Sequence, residues 1–144
     1  NQNSTQMAVR YTYGGKQYYQ IYNLAKGRFI NPRNPVKRIC LSATSGDFQG
    51  FDLYGTSIYT IEGSPRKSFL LGYDRSRRYQ PTKIRRYNYA VRSKKTITVR
   101  GAKTLSFREP EGIKVLAGGQ IYMMYVSNTL TNQSCNIYRV KRKI

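Results

Sequence analysis

The chain has 144 residues, which is enough for one domain with a sizeable core. It carries 26 Lys and Arg against 6 Asp and Glu, a formal net charge of +20, and it contains no His. The missing histidine and the scattered carboxylates argue against acid–base catalysis, and no residue set predicts a metal or cofactor site. We therefore expect a binding protein, not an enzyme, whose partners are polyanions.

The predicted secondary structure is β throughout, because no helical period persists for ten residues while short apolar and aromatic segments recur between turn residues. In chain order, the predicted strands are Ala8–Tyr13, Gln17–Tyr22, Arg28–Ile30, Lys37–Leu41, Phe51–Tyr54, Ser57–Ile61, Ser68–Tyr73, Arg85–Val91, Thr96–Val99, Thr104–Phe107, Ile113–Leu116, Gln120–Val126 and Asn136–Val140. The pairs Gly14-Gly15 and Gly118-Gly119 predict hairpin turns, since glycine adopts positive φ without steric cost. Asp47 and Asp52 are expected to cap a turn between them.

About a dozen short strands without long linkers predict one β domain over residues 1–144, with a flexible tail at residues 1–6. A β-trefoil, another closed β-barrel and a sandwich all fit this pattern. The apolar run from Ile121 to Val126 is too short to span a bilayer, so no membrane insertion is expected.

Three features favour a secreted, extracellular protein. Cys40 and Cys135 permit one long-range disulfide, although both could instead be buried thiols. Asn3 and Asn132 each begin a triplet that fits the N-glycosylation pattern. The third feature is the tyrosine-rich composition, with 14 tyrosines.

The positive charge is clustered. Half of it lies between Arg66 and Lys103, interleaved with tyrosines, and a second group closes the chain. Clustered Lys and Arg neutralise sulfate or phosphate oxygens, and Arg adds paired hydrogen bonds. The residues predicted to bind a glycan or another polyanion are Arg75, Arg77, Arg78, Lys83, Arg85, Arg86, Lys141, Arg142 and Lys143. The same pattern fits charged strand edges, and single-stranded nucleic acid whose bases stack on tyrosine.

Several segments resemble the fibroblast growth factors. Gly15–Ile21 looks like the opening hairpin of that family, Ile58–Tyr79 is similar to an aromatic-Leu strand followed by a basic turn, and Ile137–Arg142 resembles the closing strand. The resemblance implies a secreted β-trefoil of about twelve short strands that binds a receptor tyrosine kinase ectodomain and heparan-type sulfated glycosaminoglycan. The exposed tyrosines expected to contact the receptor are Tyr11, Tyr13, Tyr18 and Tyr79.

Two other functions fit the same sequence. Gln49-Gly50-Phe51 resembles the Gln-x-Trp motif of ricin-type lectins, with Phe in place of Trp. This favours a secreted toxin, effector or lectin-like module that binds carbohydrate or nucleic acid. The third alternative is a basic structural or coat protein that packages a polyanion.

Overall fold

Eleven strands and one short 3₁₀ turn form the regular structure of a computed structural model that describes residues 5–26, 28–42, 47–64, 81–105, 108–128, 132–142 and 144. The strands are β1 Gln6–Tyr13, β2 Lys16–Ala25, β3 Arg28–Phe29, β4 Lys37–Leu41, β5 Phe48–Tyr54, β6 Ser57–Glu62, β7 Thr82–Asn88, β8 Ser93–Val99, β9 Glu109–Leu116, β10 Gln120–Asn128 and β11 Gln133–Arg139. The all-β class predicted from the sequence is confirmed. The 3₁₀ turn, Ala117–Gly119, is the only helical element in the described ranges, so none of them contains a membrane-spanning helix.

Most predicted strands overlap observed ones, with two differences. The predicted strand Thr104–Phe107 is wrong at its start, because residues 103–105 form a turn in which the Leu105 amide donates to the Ala102 carbonyl at 3.3 Å. Strand β7 ends at Asn88, and residues 89–92 form a hairpin loop, not the end of a strand. The predicted strand at residues 68–73 lies outside the described residues.

The strands form three antiparallel sheets. The N-terminal sheet pairs β2 with β1 along one edge and with β3 and β4 along the other. The central sheet is the meander β5-β6-β7-β8, and the C-terminal sheet is the meander β9-β10-β11. These three sheets leave the predicted trefoil connectivity unconfirmed.

The central sheet is covered on both faces. All six residues of β6 are buried, whereas a half-exposed strand would alternate between buried and exposed positions. On one side, Ile58 packs with apolar residues from the N-terminal and central sheets: Tyr19, Ile21, Ile39 and Leu53. On the other side, Tyr59 and Ile61 pack with the C-terminal sheet through Val115, Ile121, Met123 and Tyr125. The structure therefore has three layers, with β6 in the middle.

Asp52 connects the central sheet to the C-terminal sheet. Its carboxylate accepts a 2.7 Å hydrogen bond from the Val115 amide and a 3.1 Å charged hydrogen bond from the Lys114 ammonium. The predicted role of Asp52 in a turn is wrong, because it lies within β5. Asp47, which precedes β5, accepts a hydrogen bond from the Ser64 hydroxyl at 2.5 Å.

The Gly14-Gly15 turn sets the register of the N-terminal sheet. Both glycines have positive φ, +54° and +71°, as a two-residue hairpin turn requires. The turn places Tyr13 opposite Lys16 and brings Tyr11 opposite Tyr18. Pairing extends to the start of β1, since Gln6 lies opposite Asn23, and this start lies inside the tail predicted for residues 1–6.

The predicted disulfide is wrong, because both cysteines are free. Cys40 lies on β4 of the N-terminal sheet and Cys135 on β11 of the C-terminal sheet, and both are exposed. The central sheet separates these layers, and stacked sheets lie about 10 Å apart. A disulfide needs Cα atoms within about 7 Å, which two intervening sheet spacings do not allow.

Because both faces of β6 are buried, we expect that truncating a side chain on either face lowers the free energy of unfolding. Ile58→Ala and Ile61→Ala, which empty opposite faces, should each lower the free energy of unfolding by about 2–5 kcal/mol. Ile137→Ala is the matched control, because Ile137 is 71% exposed, and it should change that free energy by less than about 0.5 kcal/mol. Urea unfolding of the three variants measures this. A near-neutral result for Ile58 or Ile61 would mean that one face of the central sheet is open.

Candidate polyanion-binding site

The hairpin of β7 and β8 presents a row of basic and aromatic side chains toward the N-terminal sheet. Ile84 packs in the core beneath the C-terminal sheet, so alternation along β7 turns Lys83, Arg85 and Tyr87 to the opposite face. The register places Tyr87 opposite Lys94 and Arg85 opposite Thr96. Two neighbouring strands thus carry this basic face.

Arg85 is paired with a buried carboxylate. Its Nε lies 3.0 Å from Oε1 of Glu62, a side chain that is only 1% exposed. The Thr60 hydroxyl donates to the same oxygen at 3.4 Å, and Oε2 has no hydrogen-bond partner among the described residues. Burying a charge is costly unless it is paired, so the Arg85 guanidinium is needed beside Glu62 to compensate its buried carboxylate.

Burial raises the pKa of the Glu62 carboxyl above its ordinary value of 4.5. The positive charges of Arg85 and Lys83 and the hydrogen bond from Thr60 favour the carboxylate and oppose this shift, but the loss of solvation is the larger effect. The folded protein therefore holds the Glu62 proton more tightly than the unfolded chain does.

Arg86 points to the other face of β7, where its hydrogen bonds stabilise the fold. Its Nε donates to the Ser57 hydroxyl at 3.1 Å and its Nη1 donates to the Ile144 carbonyl at 3.0 Å. Arg108 is similarly committed, since its Nη2 donates to the Tyr125 hydroxyl at 2.6 Å. These guanidinium groups are held by internal hydrogen bonds, so their charge is less available to a ligand.

Lys94 and Lys95 are exposed on β8 at the edge of the central sheet. The Lys94 ammonium lies 5.9 Å from the centroid of the Tyr87 ring, within the range of a cation–π contact. Neither lysine forms an ion pair within the described part of the chain. These two ammonium groups are therefore better placed to bind an anion than Arg85 or Arg86.

A cavity of about 90 Å³ lies between the N-terminal and central sheets, beside this basic face. Four basic residues line it, and no described lining residue is acidic: Gln17, Tyr19, Leu41, Ser42, Ile58, Thr60, Arg85, Arg86, Tyr87, Lys94, Lys95 and Thr96. At about 30 Å³ per molecule, three waters would fill it, as would one oxyanion group with fewer waters. We call it the interlayer cavity.

Two neutral side chains that line the interlayer cavity each have a buried polar atom without a hydrogen-bond partner among the described residues. The Tyr19 hydroxyl and the Gln17 side-chain oxygen have no hydrogen-bond partner among the described residues. Burial raises the pKa of the Tyr19 hydroxyl; the neighbouring Arg10 guanidinium only partly opposes this shift, and the Glu62 carboxylate adds to it. A neutral phenol can donate a hydrogen bond, so Tyr19 is suited to an acceptor oxygen.

The remaining predicted polyanion-binding residues do not join this cavity. Lys141 and Arg142 are exposed and follow β11 in the C-terminal sheet, and Lys141 lines a separate cavity with Arg139. Arg75, Arg77, Arg78 and Lys143 lie outside the described residues. Of the predicted set, Arg85 and Arg86 line the interlayer cavity, and Lys83 is on the same face as Arg85.

The tyrosines predicted to contact a receptor lie together on the N-terminal sheet. Tyr11 and Tyr18 stack with ring centroids 5.2 Å apart, and Tyr13 near the hairpin turn is 75% exposed. Tyr79 lies outside the described residues. Of the predicted glycosylation positions, Asn132 is exposed, and Asn3 is outside the described ranges.

The sequence did not predict that Lys94, Lys95, Gln17 and Tyr19 belong to this site. The alternation of β7 and its hairpin to β8 could have placed Lys94 opposite Tyr87. No sequence signal indicates that Gln17 and Tyr19 face β7 and β8, because that contact joins two sheets.

The raised pKa of Glu62 predicts a pH dependence of stability. A raised folded-state pKa contributes stability that is fully present below the ordinary value of 4.5 and is lost as the pH rises through the raised value. Glu62→Gln removes this titration, so the unfolding free energy of the wild type relative to the variant should fall from pH 4.5 toward neutrality. Arg85→Met should shift that fall to higher pH, because it removes the nearest opposing charge. Urea unfolding across this range tests both, and a difference that grows with pH would contradict the assignment.

Comparisons of the chain with protein families, with curated proteins and with solved structures gave no match. The resemblance to the fibroblast growth factors therefore rests on its short sequence segments and stays a prediction.

Proposed function

We propose that this protein is a β module that binds a polyanion through the exposed end of the β7–β8 hairpin and the mouth of the interlayer cavity. The observation that carries the proposal is the set of four basic residues around a cavity whose described lining has no acid. A phosphate- or sulfate-bearing chain is the ligand class that this arrangement favours.

The basic residues differ in their contacts within the protein, and this difference supports the proposal. Arg85 is neutralised from within by Glu62, and Arg86 is held by Ser57 and Ile144. Lys94 and Lys95 add charge that no described acid pairs with, on the edge strand of the central sheet. An anionic chain along β8 would meet these two ammonium groups first.

The interlayer cavity would take one oxyanion group of such a chain. Lys94, which lies opposite Tyr87 and on the same face of the central sheet, would supply charge, and the Tyr19 hydroxyl would donate a hydrogen bond to the oxyanion. Binding would displace water from the cavity and give the buried Tyr19 hydroxyl a hydrogen-bond partner. Leaving such a group without a partner costs about 1–3 kcal/mol. The cavity therefore adds directional contacts to an otherwise diffuse attraction.

Replacing Lys94 and Lys95 by Ala should weaken binding to a heparin fragment and to an abasic phosphodiester oligomer. The dependence of log affinity on log salt should flatten, by roughly 0.7 for each phosphate of a single strand that the variant no longer neutralises. Fluorescence anisotropy over a salt series measures both quantities.

The matched control is Arg100→Ala with Lys103→Ala, which removes the same charge from exposed positions after β8. Equal losses of affinity in the two double variants would mean that the net charge of +20, not this site, drives binding. Arg85→Ala is a poor probe, because it also leaves Glu62 buried without its partner.

A growth-factor-like receptor ligand is the second candidate, favoured by the exposed Tyr13 and the half-buried, stacked Tyr11–Tyr18 pair of the N-terminal sheet. In this proposal the three sheets are parts of a β-trefoil, the protein is secreted, and Tyr11, Tyr13 and Tyr18 contact a receptor tyrosine kinase ectodomain. Sulfated glycan on the basic face would strengthen the complex.

This second candidate predicts saturable binding to receptor ectodomains of the growth-factor type that a heparin fragment strengthens. Tyr13→Ala should weaken it several-fold, since exposed tyrosines often carry interface energy. Surface plasmon resonance near physiological salt measures this. Absence of saturable binding, with polyanion binding retained, would leave only the first candidate.

A further inference from the structure

The outer face of the N-terminal sheet presents aromatic rings at two positions. Tyr19 and Ile21 of β2 are buried against the central sheet, so Tyr18 and Tyr22 point to the outer face. Tyr18 stacks on Tyr11 at 5.2 Å with an interplanar angle of 13°, and Tyr22 meets the edge of Phe29 at 5.1 Å. Tyr18 and Tyr22 are four residues apart on one strand, about 13 Å at 3.3 Å per residue.

A fixed cation lies between the two aromatic positions. The register places Gln20 opposite Arg38, in the row between Tyr18 and Tyr22. With its side-chain oxygen toward Arg38, Gln20 accepts hydrogen bonds of 3.1 and 3.2 Å from the guanidinium and donates one of 2.8 Å to the Tyr22 hydroxyl. Arg38 is thus oriented on the outer face by a neutral side chain, and no acid neutralises it there among the described residues.

The whole N-terminal sheet is positively charged. Residues 1–46 contain seven Lys and Arg and no Asp or Glu. Six of the seven are exposed: Lys16, Lys26, Arg28, Arg33, Lys37 and Arg38. A partner complementary to this face must be anionic, and it must also have flat apolar groups to use the rings.

We propose that the outer face of the N-terminal sheet is a stacking platform for single-stranded nucleic acid. Bases would stack at the Tyr11–Tyr18 pair and at the Tyr22–Phe29 pair, with a backbone phosphate between them on Arg38. A sulfated glycan satisfies the charge but has no planar rings to stack. This inference rests on the proposed polyanion-binding function and names the class of polyanion.

The test compares a short oligothymidylate with an abasic phosphodiester oligomer of equal length. Stacking on an aromatic side chain should make the wild type bind the base-bearing oligomer more tightly, by about five- to 150-fold. Tyr18→Ala should reduce that preference and leave abasic binding unchanged, while Tyr18→Phe should retain it. The protein has no tryptophan, so quenching of its tyrosine fluorescence by oligothymidylate is a second readout.

Tyr122→Ala is the matched control, because Tyr122 is a partly buried tyrosine on β10, in the C-terminal sheet. It should leave the base preference intact, and circular dichroism checks that each variant is folded. Equal affinity of the wild type for the two oligomers, or an equal drop in affinity for both in Tyr18→Ala, would overturn the stacking platform and leave the polyanion-binding proposal standing. Failure of heparin and both oligomers to bind would overturn both proposals.

Discussion

The fold depends on the burial of both faces of β6. Ser57, Tyr59 and Ile61 face the C-terminal sheet while Ile58 and Thr60 face the N-terminal sheet, so neither outer layer can be removed without exposing part of the core. Antiparallel sheets often keep one face in water, and a central sheet covered twice instead needs an apolar surface on each covering layer. The same burial takes Glu62, the last residue of β6, out of solvent and makes Arg85 its necessary partner.

Several of the basic side chains are engaged in contacts within the protein. Arg108 is enclosed by the Gly101 carbonyl and the Tyr125 hydroxyl, and the Tyr125 hydroxyl donates in turn to Thr82. Lys114 is paired with Asp52 where the central and C-terminal sheets meet. Lys94 and Lys95, on the edge strand of the central sheet, form no ion pair within the described residues. The net charge alone therefore overstates the number of basic side chains that are available to bind an anion.

Alternation along β2 gives the N-terminal sheet two different faces. Gln17 and Tyr19 line the interlayer cavity, whereas Tyr18 and Tyr22 lie on the outer face. One strand thus contributes buried polar atoms to the first proposed site and aromatic rings to the second. Because the side-chain period is two, a shift of one residue at the Gly14-Gly15 turn would exchange these faces, which makes the turn decisive for both surfaces.

The sequence by itself determined the all-β class, the Gly14-Gly15 hairpin and the extent of Lys37–Leu41, because turn residues and side-chain alternation are local. It also determined the excess of basic charge. The positions of Cys40 and Cys135 on different outer sheets, the task of Asp52 between two sheets and the pairing of Glu62 with Arg85 were decided only by the tertiary structure. Each of these depends on which faces of the sheets pack together. The sequence of a single strand does not specify the layer against which it packs.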